Sequence, residues 1–196
     1  MPADLPQLHP ATTALLVMDY QPGIVGRLPD PDAQLALAER VIATVRERGG
    51  HIGYVRVAFT EDELDAIPDA SAMARVKQFG AAMHADAPET AVHERLAPRD
   101  GDIVVRKVRV GAFSTTDLDA QLRERGIDTL VLAGISTSGV VLSTVRDGAD
   151  RDYRIIVLSD ASADPEPDVH EFLTTRVFPR QAEVITSQEL TDRLGG

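Results

Sequence analysis

Three places in this chain combine residue types that could do chemistry. The first is Asp19, which closes the apolar run Thr13 to Met18 and precedes a Tyr20-Gln-Pro-Gly23 turn. The second is Lys107, at the end of the apolar run that starts at Ile103. The third is the loop Gly134-Ile-Ser-Thr-Ser-Gly-Val140, which joins a short apolar run to a segment with helical periodicity. A carboxylate and an ammonium brought into one partly dry crevice form a pair in which the lysine holds the acid ionised or positions it for proton transfer. A glycine-bearing loop at a helix N-terminus presents backbone N–H groups and the positive end of a helix dipole, which suits a developing negative charge. From spacing alone other readings stay open. Asp19 could be a turn residue ahead of Pro22-Gly23, Lys107 a solvated base beside Arg106 and Arg109, and Ser136, Thr137 and Ser138 loop and capping residues.

Other chemistries have less support. The chain has no cysteine, which removes disulfides, thiolate metal sites and a cysteine nucleophile. Its five histidines, at 9, 51, 84, 93 and 170, lack paired spacing, so no metal site is expected. No dinucleotide fingerprint, phosphate loop or G-x-S-x-G nucleophile elbow occurs, and no cofactor is expected. Ser143, one turn into a helix, reads as a packed small residue, and Glu61-Asp-Glu63 as a solvated face. The formal charge of −11 argues against nucleic acid as a partner. No apolar run reaches the roughly 18 residues of a membrane span, and the N-terminus lacks the features of a signal peptide. A cytoplasmic location, no membrane contact and a small-molecule substrate are the resulting expectations.

The elements that must position these residues follow from the hydrophobic pattern. Residues 1–12 read as an extended arm and 13–196 as one domain. Apolar runs at Thr13–Met18, Ile52–Phe59, Ile103–Arg106, Thr129–Ala133, Tyr153–Leu158 and Glu183–Ile185 read as strands buried on both faces. Helices are predicted between them. One opens at Asp30-Pro31 and closes at Gly49-Gly50. Others begin at Thr116, after Gly139, at Asp164-Pro165 and at the capping-box spacing Thr186 to Glu189. Ala70 to Met83 could be helical, and the weakly patterned stretch 60–102 suits a lid or substrate wall. Strands alternating with helices predict an α/β fold with a parallel sheet, whose ligands bind beyond the carboxyl ends of the strands.

Three segments, in order and spanning about residues 12 to 190, resemble the isochorismatase-like (cysteine) hydrolases. Leu15-Leu-Val-Met-Asp19-Tyr-Gln21 resembles that family's first strand with its catalytic aspartate. Lys107 with Gly111-Ala-Phe113 and Thr116-x-Leu118 resembles its catalytic-lysine segment. Gly134-Ile-Ser-Thr137 with Val140-Val141, Thr144 and Asp147 resembles its strand-four loop and helix. The resemblance implies a Rossmann-like three-layer α/β/α sandwich with a six-stranded parallel sheet. It implies a substrate and oxyanion loop at Ile135, Ser136, Thr137, Ser138 and Gly139, with a cis peptide at Ile135–Ser136, and a homodimer or larger homo-oligomer.

In the family's amidase branches a cysteine attacks from the position that Val140 holds here. An alkyl side chain has no lone pair to attack with, so the cysteine mechanism is excluded for this chain. The isochorismatase branch needs only the acid and the lysine, with Asp19 protonating a vinyl ether and water adding to the oxocarbenium ion. Hydrolysis of a vinyl-ether or similar bond in a small carboxylated metabolite is the reaction this favours. Amide or ester hydrolysis by activated water or by Ser138, or ligand binding without turnover, are the alternatives. Gln21, Arg56 and Phe113 are expected to contact substrate, and Arg75, Lys77 and Gln78 could meet its carboxylates.

Overall fold

The computed structural model describes residues 7–194. Residues 1–6 of the expected arm and the last two residues of the chain lie outside that range. Within the described part of the arm, Leu8 is buried against the core and its N–H donates to the Arg193 carbonyl (3.3 Å).

Six parallel strands form the sheet: β1 (Thr13–Met18), β2 (His51–Val57), β3 (Ile103–Lys107), β4 (Thr129–Ile135), β5 (Arg154–Ala163) and β6 (Glu183–Ile185). Their order is β3-β2-β1-β4-β5-β6. The side chains of β1 alternate across it. Leu15 and Val17 join one core cluster; Ala14, Leu16 and Met18 join another on the opposite face. Burial on both faces is why the strand reads as a continuous apolar run rather than an alternating one.

Among the described residues, seven α-helices accompany the sheet: α1 (Pro22–Val25), α2 (Pro31–Glu47), α3 (Glu61–Asp65), α4 (Leu118–Glu124), α5 (Leu142–Ala149), α6 (Pro167–Phe172) and α7 (Ser187–Leu194). Helix α2 packs Leu35, Val41, Ile42 and Val45 against the Leu15 face, together with Leu190 and Leu194 of α7. Helices α4 and α5 pack Leu118, Leu122 and Val145 against the Leu16 face. The expected ends are present. Asp30 accepts from the Ala33 N–H (3.0 Å), Thr186 and Glu189 bond reciprocally, and Gly49 and Gly126 take positive φ past their helices.

The structure departs from the sequence expectation in three places. Ala70 to Met83 is not an α-helix. Ala72–Met83 is tight 3-10 turns interrupted at Gly80, where φ is +51°. None of its residues is buried, so it lacks the buried apolar face that holds longer helices. Strand β5 runs on to Ala163, past the expected Ser159-Asp160 end, because its far part pairs with the end of β4 (Gly134 with Ser162, Ile135 with Ala163). The segment expected to be helical from Asp164-Pro165 starts at Pro167 instead and continues as wider and tighter turns from Leu173 to Arg180.

Candidate active site

Strand order reverses between β1 and β4, which opens a crevice at their carboxyl ends. Register sets what meets there: Met18 is level with Gly134, so Asp19 leaves β1 beside Ile135, the last residue of β4. At Asp19 the backbone turns to φ +60°, a region that aspartate tolerates better than most residues. Its N–H still donates to Val55 (2.8 Å), so the turn is fixed from the neighbouring strand.

Lys107 arrives from the end of β3, two strands away, and Asp19 and Lys107 meet. Lys107 Nζ donates to Asp19 Oδ2 at 2.9 Å and to the carbonyls of Val110 (2.9 Å) and Arg109 (3.3 Å). The side chains are 2 % and 7 % exposed, so the pair is held almost out of water. All three lysine protons have acceptors, whereas the buried Asp19 Oδ1 has no hydrogen-bond partner among the described residues. Burial pushes the Asp19 carboxyl above its ordinary range, and the Lys107 ammonium pulls it part of the way back.

Both residues line a cavity of about 570 Å³. The loop after β4 forms part of its wall through Ile135, Ser136, Gly139 and Val140. The Ile135–Ser136 peptide bond is cis. Within the described residues no hydrogen bond takes up the Ser136 N–H. Val140 is buried, and its alkyl side chain offers the cavity no nucleophile.

The remaining loop residues have other partners. Thr137 is fully buried, and its hydroxyl bonds to His170 Nδ1 of α6 (2.8 Å). The Ser138 N–H donates to Asp164 Oδ2 (2.7 Å), so this amide is not available to a substrate oxygen. The Ser138 side chain is exposed and lies off the cavity wall, unlike that of the serine two residues before it.

Three residues expected to contact substrate are placed differently. Gln21 does line the cavity, but its amide is committed to backbone: Nε2 donates to Val57 and Thr90, and Oε1 accepts from the Val57 N–H. Arg56 is not at the wall; its Nη1 holds the carbonyls of Ala85 and Thr90. Phe113 is in the core, stacked on Tyr153 with ring centroids 5.9 Å apart. Gln21 and Arg56 instead tie the 84–90 turn to β2. Spacing cannot reveal this, because it does not tell a polar side chain that binds backbone from one that binds substrate.

The stretch 60–102 supplies much of the opposite wall, through Met73, Val76, Phe79 and Met83. Arg75 and Gln78 are at the wall, while Lys77 pairs with Asp69 (2.9 Å). Sequence reasoning missed Arg27, whose guanidinium lies over the Phe79 ring at 4.8 Å, both residues lining the cavity. It also missed Asp164, just past β5, and His170 of α6, which brace the loop. In all, the cavity wall carries Arg27, Arg75, Lys107 and Arg109 against only Asp19 and Glu89. That local excess of positive charge sits on a chain whose formal charge is −11.

The arrangement can transfer a proton from or to a buried carboxyl group, hold an anion and exclude bulk water. The family model for the isochorismatase domain matches residues 13–189. A Bacillus subtilis protein described as an uncharacterized isochorismatase family protein is 35 % identical over 184 residues, 93 % of this chain and 94 % of that one. The solved structure of an isochorismatase family protein from Burkholderia thailandensis superposes with a TM-score of 0.84 at 30 % identity, covering 98 % of this chain and all of that one. N-carbamoylsarcosine amidase from Thermoplasma acidophilum superposes with a TM-score of 0.74 at 31 % identity, over 90 % of this chain and 96 % of its own.

Proposed function

The chain belongs to the isochorismatase family of hydrolases, and we propose that it hydrolyses a small carboxylate-bearing substrate with water as nucleophile and Asp19 as the proton-transfer group. One observation carries this reading. The cavity presents a buried carboxyl group with one oxygen on Lys107 and the other unpartnered, while the position from which a thiol would attack is Val140. Lys107 orients Asp19 and fixes its charge; the four cations at the wall favour an anionic substrate. The loop from Ile135 to Gly139 holds the oxygen that becomes negative, with the Ser136 N–H as the donor left free for it.

The bond is the finer question. A vinyl ether calls for a general acid, and burial, which raises the Asp19 carboxyl above its ordinary range against the pull of Lys107, favours the protonated form. Asp19 would protonate the alkene carbon, water would add to the oxocarbenium ion and return a proton to Asp19, and the hemiketal would break to a carbonyl and an alcohol. A second reading, an amide, is favoured by the relative named as an N-carbamoylsarcosine amidase. There Asp19 would take the proton of the attacking water and give it to the leaving nitrogen.

A panel of isochorismate, N-carbamoylsarcosine and small neutral amides, followed by product detection, tests both. Turnover of a carboxylated member that is abolished in Asp19→Asn supports the proposal. Undiminished turnover in Asp19→Asn, or an acyl group trapped on the enzyme, contradicts it. Arg75→Gln is expected to raise KM for the carboxylated substrates about tenfold and to leave neutral ones unchanged, the scale of one lost charge-assisted hydrogen bond.

A further inference from the structure

We infer that the substrate carries its anion apart from the reacting bond, across an apolar body that fills the middle of the cavity. This rests on the reading that Asp19 marks the reacting end. It narrows the substrate to amphiphilic carboxylates: a hydrolysable group, an aromatic or aliphatic spacer, and a charge at the far end.

Exposure grades the cavity wall. Asp19, Lys107, Ile135 and Val140 are buried and form its floor. Arg27, Arg75, Gln78, Phe79 and Glu89 are exposed to solvent and mark its mouth. Intermediate in burial are Ile24, Leu28, Val57, Met73, Val76 and Met83, all apolar. Core backs this belt from two sides. Ile24 and Leu28 pack on the cluster that holds Leu15 and Val17, while Val57, Met73, Val76 and Met83 pack on Phe59, Leu64 and Ile67. A substrate body lying against the belt removes apolar surface from water on both partners. A polar body there would give up its water for a wall without hydrogen-bonding partners.

The deep polar groups leave little to hold a substrate carboxylate. Lys107 spends its three protons on Asp19, Arg109 and Val110. Gln21 is bound to Val57 and Thr90, and the Thr90 hydroxyl donates to the His84 carbonyl (2.7 Å). The Ser138 N–H is held by Asp164, and Ser136 belongs to the loop assigned to the reacting oxygen. Arg109, partly buried, already donates from Nη1 to the Val108 carbonyl (2.6 Å).

At the mouth the donors are uncommitted. Arg75 makes no hydrogen bond or ion pair among the described residues. Arg27 lies over the Phe79 ring with no carboxylate on it. Glu89 is the acid at the mouth, and these two cations outnumber it. The anion therefore seats on Arg75, with Arg27 beside the opening, and the chain between anion and reacting bond crosses the apolar belt.

The test is isothermal titration calorimetry of the wild-type protein with the unbranched carboxylates from propionate to heptanoate, with heptanamide, and with methoxyethoxyacetate, which matches heptanoate in length but carries ether oxygens. Affinity should rise along the series by up to about fourfold per added methylene. Heptanamide and the ether should each bind about tenfold more weakly than heptanoate. Arg75→Gln should weaken heptanoate about tenfold and leave heptanamide unchanged, with a smaller loss in Arg109→Gln. Val76→Thr and Met73→Gln, at half-buried positions, should weaken heptanoate and not the ether. Affinity that is flat along the series, an ether or amide that binds as well as heptanoate, or a greater loss in Arg109→Gln than in Arg75→Gln overturns the inference. The wild-type comparisons decide it even where a variant fails to fold.

Turnover tests the orientation. Terephthalate monoamide, whose ring separates the amide from the anion, should be hydrolysed with kcat/KM at least about tenfold above that of oxamate, where the two adjoin. The reverse order overturns the inference, and where neither is hydrolysed the calorimetry decides alone. Full activity of Asp19→Asn is a different result: it defeats the proposed function, while the seat of the anion and the apolar belt are still decided by binding.

Discussion

At the scale of single residues, the account rests on how Asp19 and Lys107 share one buried place. Removing one partner of a buried pair leaves the other uncompensated, a loss of about 3–5 kcal/mol. Lys107→Met is therefore expected to destabilise the protein by that order. It should also push the Asp19 carboxyl further up, because the cation that pulls it down is gone. The double variant Asp19→Asn/Lys107→Met should be more stable than Lys107→Met alone; denaturant titration of the four proteins measures the coupling. The pH dependence separates the two bond classes. A general acid must carry its proton, so in the vinyl-ether reading kcat/KM falls as pH rises through the raised Asp19 pKa. A general base must lack it, so in the amide reading kcat/KM falls as pH drops through the same value. The apolar runs put Asp19 and Lys107 at strand ends, but spacing alone left their roles open, and Val140 stands out only through the resemblance to the family. Arg56 and Phe113 lie off the cavity wall and Gln21 lines it with its amide bound to backbone, because what they touch is fixed by chain segments far away in sequence.

At the scale of elements, the wall segment 60–83 depends on its first helix. Thr60 and Glu63 form a capping box at the start of α3, and Glu63 also receives Arg106 of β3 through two hydrogen bonds. Arg106, with the Thr60 N–H, holds the Glu63 carboxyl down from its usual 4.5 to about 2. A depressed acid stabilises the fold above its ordinary pKa and loses that contribution as pH falls from about 4.5 toward about 2. Glu63→Gln should therefore destabilise at neutral pH and converge with wild type at the acid end of that window, as thermal melts across pH would show. Thr60→Ala should cost about 1 kcal/mol, the usual loss for a removed helix cap. All six strands were legible, since burial on both faces leaves an unbroken apolar run, but the far end of β5, held by pairing with β4, was not. The 72–83 segment was not: it lacks a buried face, so neither helical nor strand periodicity is written into it.

At the scale of the whole molecule, the sequence pattern led to the sheet and its two helical layers, because alternating strands and helices admit few other arrangements. It did not reveal the positive cavity, since Arg27, Arg75, Lys107 and Arg109 are up to 82 positions apart and converge only when the end of β3 and the wall segment are brought to the carboxyl end of β1. A formal charge of −11 also has a global consequence. Self-repulsion weakens the compact state and is screened by salt, so the melting temperature should rise as salt is raised from about 0.01 M to about 0.15 M, where the screening length shrinks from about 30 Å to about 8 Å. A melting temperature that falls over that range would place the acidic side chains in favourable pairs instead.

The central claim is that the chemistry belongs to Asp19, acting on water, in a site that has no side-chain nucleophile. The most direct measurement is kcat of Asp19→Asn beside wild type on the carboxylated panel, with the fold of the variant checked by circular dichroism. The account predicts a folded variant with kcat reduced at least about hundredfold, the scale of a lost general acid or base. A folded Asp19→Asn protein that turns over substrate at the wild-type rate would contradict it.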